Sequence, residues 1–129
     1  MQGSRYFWIT LMGACCVSLF YFGDIWRAPN DFLFTATGDG LQGYYQTDWH
    51  ARLDSADWHQ TSLNYPFGES VFFTGAQPLL SIPARWLGGS HAMVGITNVF
   101  MLSSGIVATL FVFLILCSLG VSQVYACAY

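Results

Sequence analysis

Apolar residues fall into two long runs with a mixed region between them. Residues 6–23, YFWITLMGACCVSLFYFG, hold no charged side chain. A bilayer crossing takes about 20 mostly apolar residues, so this run predicts a first transmembrane helix. Aromatics crowd both of its ends (Tyr6, Phe7 and Trp8, then Phe20, Tyr21, Phe22 and Trp26), as in an interfacial belt. From Trp86 to Tyr129 there is again no Asp, Glu, Lys or Arg, and the best second span covers Met93–Leu119. Gly120, Val121 and Ser122 read as a turn, and QVYACAY as the truncated start of a further span. The expected organisation is a tail and first span (1–23), an external loop (24–91), a second span (92–119) and that short start (120–129). The expected fold class is an all-α membrane protein: two transmembrane helices joined by a long external loop with interfacial amphipathic helices and a short β-prone segment.

The loop has its own periodicities. Pro29 marks a break after the first span, and Gly38-Asp39-Gly40 a tight turn. Residues 41–58 have helical spacing: Leu41, Tyr45, Trp49 and Leu53 recur every four residues on one face. That face is aromatic rather than aliphatic and suits the membrane interface. Asp48 and Arg52 lie one turn apart and can pair. Asn64-Tyr65-Pro66-Phe67-Gly68-Glu69 is a second turn, followed by the β-prone run Ser70–Thr74. A later helix begins near Gln77-Pro78 and carries Leu79, Leu80, Ile82 and Trp86, with Pro83 restricting it.

Composition agrees with lipid as the solvent. The chain of 129 residues is 54% hydrophobic and 9% charged, against about a quarter charged in soluble domains, and its mean hydropathy is +0.46. There is no Lys, so no basic footprint for nucleic acid. The loop holds three Arg against seven acidic residues, and Arg5 precedes the first span. The positive-inside rule then favours an inside N-terminus and an outside loop. Two other readings of the first run stand beside a retained span. It has the basic start and apolar stretch of a signal peptide, and Leu11–Cys15 is similar to a lipoprotein box. Bulky Phe20-Tyr21-Phe22 and the apolar stretch beyond Cys15 favour the span. Cys15, Cys16, Cys117 and Cys127 lack metal-ligand spacing and read as small packing residues.

Chemistry centres on Asp39. A carboxylate between two glycines, close to the outer membrane face, has three readings: helix cap, oxygen ligand for a divalent cation, or general base toward a hydroxyl. His50 and His59 are candidates for contact with a phosphate or metal, and Glu69 for the same pocket as Asp39 or for a local cap. Asp48, Asp54 and Asp57 read as a solvated helix face. No P-loop, G-x-S-x-G or H-E-x-x-H pattern occurs.

The pieces TGDGLQGYYQTDWHARL and NYPFGESVFFTGAQPLLSIP together resemble the N-terminal portion of bacterial multi-pass GT-C-type glycosyltransferases, including mannosyltransferase-like and YfhO-like membrane proteins. The likeness covers roughly residues 6–120. It implies an integral membrane enzyme of the bacterial cytoplasmic membrane, its loop facing the periplasm or exterior. Such an enzyme takes a hexose from a polyprenyl-phosphate donor and passes it to an acceptor on the outer face. Asp39 would act as base or hold a divalent cation (Mg or Mn). Tyr44 and Tyr45 would pack beside the lipid phosphate or sugar ring, with His50 and Arg52 toward the phosphate and Glu69 in the same substrate site. Family members have many more spans, so the expected partners are membrane lipid, the donor and the remaining transmembrane helices of a longer protein. This chain is then a fragment, inactive by itself. The competing expectation is a small non-enzymatic two-span subunit or scaffold, with Gly95, Ser103, Ser104, Gly105 and Ala108 as a helix-packing surface.

Overall fold

A computed structural model describes residues 2–127 except 36, 55, 56 and 65, and the side chains of residues 2–4 also lie outside the description. The fold is mostly helical. Helix α1 spans Gln2–Arg27, α2 Gly38–Arg52, α3 Pro78–Trp86, α4 Met93–Ser118 and α5 Gln123–Ala126. Strand β1 (His59–Gln60) pairs antiparallel with β2 (Glu69–Ser70) in register His59 to Ser70 and Gln60 to Glu69. The chain divides into two compact units, one of residues 1–27 and 100–129, the other of residues 28–99.

The longest apolar stretches are α1, in the first unit, and α4, which begins in the second unit and continues into the first. Arg5–Arg27 and Ser90–Ser118 are 23 and 29 residues long and apolar enough to cross a membrane, and only 11% of the most apolar window in each is buried. A core helix of a soluble protein would be mostly covered. Here Met12, Leu19, Phe20, Phe111 and Ile115 face outward. Four hydroxyls in these helices are satisfied locally. Thr10 donates to Tyr6 O, Thr109 to Gly105 O, and Ser104 and Ser118 to carbonyls three residues back, all within 3.0 Å. Such back-bonding lets a polar side chain exist without water. Phe7 meets Phe113 edge-on at 6.5 Å between centroids. Helix α1 breaks at Phe22 (φ −124°, ψ 25°) and continues to Arg27, four residues past the expected end of the span.

Helix α4 ends in a glycine-capped turn. Gly120 has φ +84°, and the Val121 and Gly120 amides donate to Leu116 O and Cys117 O, the Schellman pattern. The turn expected at 120–122 is therefore present, with α5 starting at Gln123; residues 128 and 129 of the expected further span lie outside the described residues.

The second unit is built around α2 and α3. Ala51, Ala84 and Met93 form its small apolar core, with Leu80 and Ile96 packed against it. Two alanines at the contact keep side-chain bulk low between the helices. Around that core the interior is polar: Gln46, Thr47, His50, Gln60, Ser81 and Asn98 are all buried. The expected stripe Leu41, Tyr45 and Leu53 faces outward, with Trp49 half-buried. Helix α3 starts at Pro78 as expected and closes with a second Schellman turn at Gly88 (φ +73°), where Gly89 N donates to Ala84 O and Gly88 N to Arg85 O.

Three sequence expectations are corrected. The tight turn expected at Gly38-Asp39-Gly40 is the first turn of α2, which starts at Gly38. The helical spacing of 41–58 ends at Arg52, because Leu53 caps the helix and Asp54 turns away to bind Thr61; residues 55 and 56 lie outside the described residues. Of the β-prone run 70–74 only Ser70 is strand. Val71–Phe73 form a 3-10 turn, with Val71 buried, Thr74 N bonded to Val71 O at 3.3 Å, and Phe72 stacked on Trp58 at 5.3 Å.

Candidate functional site

The glycines around Asp39 have separate reasons. Gly38 sits at φ +62°, a left-handed geometry that favours glycine. A Cβ on Gly40 would lie 2.0 Å from Thr35 Cγ2, so the Thr35 side chain occupies the space a larger residue would need. Between them Asp39 is exposed in the first turn of α2. The cap position belongs to Thr37, which makes no side-chain cap bond, so the capping reading of Asp39 is replaced. The carboxylate still favours the positive end of the helix dipole.

Among the described residues Asp39 has no hydrogen-bond or ion-pair partner, and it differs in this from the acids that follow it. Asp48 pairs with Arg52 Nε at 2.8 Å. Asp54 Oδ1 accepts from Thr61 N at 2.9 Å and Thr61 Oγ1 at 2.6 Å. Asp57 pairs with Arg85 at 3.2 Å, and Glu69 accepts from Asn64 Nδ2 at 3.1 Å. Asp54 is thus buried and Asp57 tied to α3, rather than both lying on a solvated face. Glu69 belongs to the hairpin, held at the turn where Asn64 has φ 51°; Tyr65 of that turn lies outside the described residues.

The remaining candidates divide between the two faces of α2. Tyr45 and Arg52 point outward. With Asp48, Trp49 and Leu53 they line a shallow groove of about 160 Å³, in which the Tyr45 and Trp49 rings tilt together at 5.7 Å. Tyr44 and His50 point inward. His50 Nδ1 lies 2.7 Å from Ser81 Oγ, which donates to Gln77 O. The His50 carbonyl accepts from Arg85 Nη2, so the charge on α3 is turned into the unit. The Tyr44 hydroxyl donates to Asn98 Oδ1 and accepts from Phe34 N at 3.5 Å. Burial pushes the Tyr44 phenol above its ordinary pKa of 10.0, partly opposed by the Phe34 amide bond.

These candidates do not converge on one point. At 1.5 Å rise per residue, Asp39 lies about 9 Å along the helix from Tyr45 and about 20 Å from Arg52. Among the described residues no three of His, Cys, Asp and Glu come together as a metal-ligand group.

Asn98 has no place in the sequence-based site and holds the unit together. It is fully buried, donates to Pro29 O and Phe32 O at 2.7 Å each, and accepts from Tyr44. Its signal was available: an Asn within an otherwise apolar run carries two donors and an acceptor that must be met. Gly95, expected on a packing surface, is instead committed inside this unit, its amide on Asn30 Oδ1 at 2.7 Å and no room for a Cβ. Comparison with protein-family models, with curated proteins and with solved structures finds no match to this chain.

Proposed function

We propose that this chain is the loop-bearing segment of a membrane glycosyltransferase of the GT-C type. In this reading α1 and α4 cross the bacterial cytoplasmic membrane, residues 28–99 lie on its outer face, and further transmembrane helices complete the enzyme. A hexose passes from a polyprenyl-phosphate donor to an acceptor hydroxyl. The observation that carries the reading is Asp39: an exposed carboxylate framed by two constrained glycines at the start of α2, and, like Asp24 and Asp31, without a side-chain partner among the described residues, while Asp48, Asp54, Asp57 and Glu69 are engaged. Such a group is available to take a proton from an acceptor or to bind a divalent cation. In this reading the donor lies along the outward groove of α2, with the Tyr45 ring against a sugar face and the Arg52 guanidinium, now paired with Asp48, turning to its phosphate. The outward stripe of α2 suits the headgroup layer.

The test uses the full-length protein in membranes, with a labelled polyprenyl-phosphate hexose and added Mg or Mn. Asp39→Asn should lower transfer by about 100-fold or more, with insertion unchanged. Wild-type transfer by that variant removes Asp39 from the chemistry. A second reading, a non-enzymatic two-span subunit or scaffold, is favoured by the exposed small residues Ser104, Gly105 and Ala108 on α4. Under that reading Gly105→Leu releases a partner helix, scored by co-purification, and no sugar transfer accompanies the chain.

A further inference from the structure

Helix α3 is apolar on its outward side as well as on the side that packs into the unit. Its outward stripe is Leu79, Pro83 and Trp86, continued by Leu87, with Leu79 84%, Trp86 72% and Leu87 85% exposed. Its inward side holds Ser81, Ile82 and Ala84. Arg85 is the helix's one charged residue, and it is drawn inward by Asp57 and the His50 carbonyl. The Ser81 hydroxyl is bonded to Gln77 O and sits against His50. No polar side chain of α3 faces outward. A short helix in water would carry its charge outside and its leucines inside; this one is arranged for an apolar surrounding.

We propose that the Leu79–Leu87 face of α3 inserts into the headgroup–acyl boundary of a lipid bilayer and so anchors residues 28–99 to the membrane surface. Three features identify lipid as the occupant. The face is Leu and Trp without charge, the composition of an interfacial anchor. The unit is joined at both ends to the two helices long and apolar enough to cross a membrane, and Met93–Val99 of α4 belong to it. The helix is about 13 Å long, and a stripe of that length lying flat needs only about 5–10 Å of penetration.

This inference rests on the membrane reading above, and the experiment separates the two. Single-cysteine variants are made with Cys15, Cys16, Cys117 and Cys127 replaced by Ala, spin-labelled, and placed in phosphatidylethanolamine–phosphatidylglycerol vesicles. Collisions with oxygen, which partitions into lipid, are compared with collisions with a water-soluble nickel chelate. Labels at Leu79, Trp86 and Leu87 should favour oxygen severalfold, a label at Ile82 should meet neither reagent, and a label at Leu114 in α4 should favour oxygen. Nickel-rich collisions at 79, 86 and 87 with an oxygen-rich Leu114 overturn the anchor and leave the spans standing. Nickel-rich collisions at Leu114 as well remove the membrane reading with it. Shielding of 79, 86 and 87 from both reagents means a protein partner covers the face and also overturns the anchor. In the cysteine-intact chain, brominated lipids should quench tryptophan fluorescence, and Trp86→Phe should remove part of that quenching; unchanged quenching in the variant counts against the anchor.

Discussion

Asn98 meets each of its amide hydrogen-bonding groups inside the protein: two donors on the Pro29 and Phe32 carbonyls, its oxygen on Tyr44. A leucine of similar size would leave those partly buried carbonyls without their donor and the Tyr44 hydroxyl without its acceptor, at about 1–3 kcal/mol per unsatisfied group. Asn98→Leu should therefore lower stability by about 3 kcal/mol or more, read as a drop in Tm in bicelles, although by hydropathy it improves the helix. No drop would mean that the three bonds are replaceable by water. Tyr44 adds a pH term. Its folded pKa is raised above 10.0, so the stability tied to its neutral form is complete below pH 10 and is lost as pH climbs through the folded value. Tyr44→Phe should make the alkaline loss of stability shallower while costing about 1 kcal/mol at neutral pH for the Asn98 bond. An unaltered alkaline slope would show that other groups govern it.

At the scale of elements, the contact of α2, α3 and the start of α4 depends on Met93 reaching between Ala51 and Ala84. Met93 is only 1% exposed, so Met93→Ala should cost about 2–5 kcal/mol, whereas the same change at exposed Met12 should cost far less. Equal melting shifts for the two would deny the second unit a core of its own. Sequence reading reached these elements unevenly. The apolar runs, the start of α3 at Pro78, the Asp48–Arg52 pair and the outward-suited stripe of α2 were legible because each rests on spacing within one segment. The inward face of α2 was not. Gln46, Thr47 and His50 give no hydrophobic signal, and their partners Gln60, Gln77 and Ser81 come from 14 to 31 residues later. The run at 70–74 was misread for a related reason: β-propensity cannot report that Val71 turns inward while Phe72 stacks on Trp58. At the candidate site, Asp39 was legible from its glycines, but the inward turn of Tyr44 and His50 depended on Asn98 and Ser81.

For the molecule as a whole, two helices with 11% of their most apolar windows covered predict behaviour on extraction. The chain should stay with membranes through an alkaline carbonate wash and leave only with detergent, because each span would otherwise expose its apolar surface to water. Release by carbonate alone would show that neither helix is threaded through the bilayer.

The bonds of Asn98 also impose an order on synthesis. They reach back 54, 66 and 69 residues. A ribosome delivers about 5–20 residues per second, so the stretch from Pro29 onward waits several seconds before its fastening residue exists. During that interval its carbonyls have only water or helper proteins to bind. The second unit therefore cannot mature as it emerges. It closes only after the beginning of α4 has been made, which ties its completion to the arrival of the second membrane-length helix.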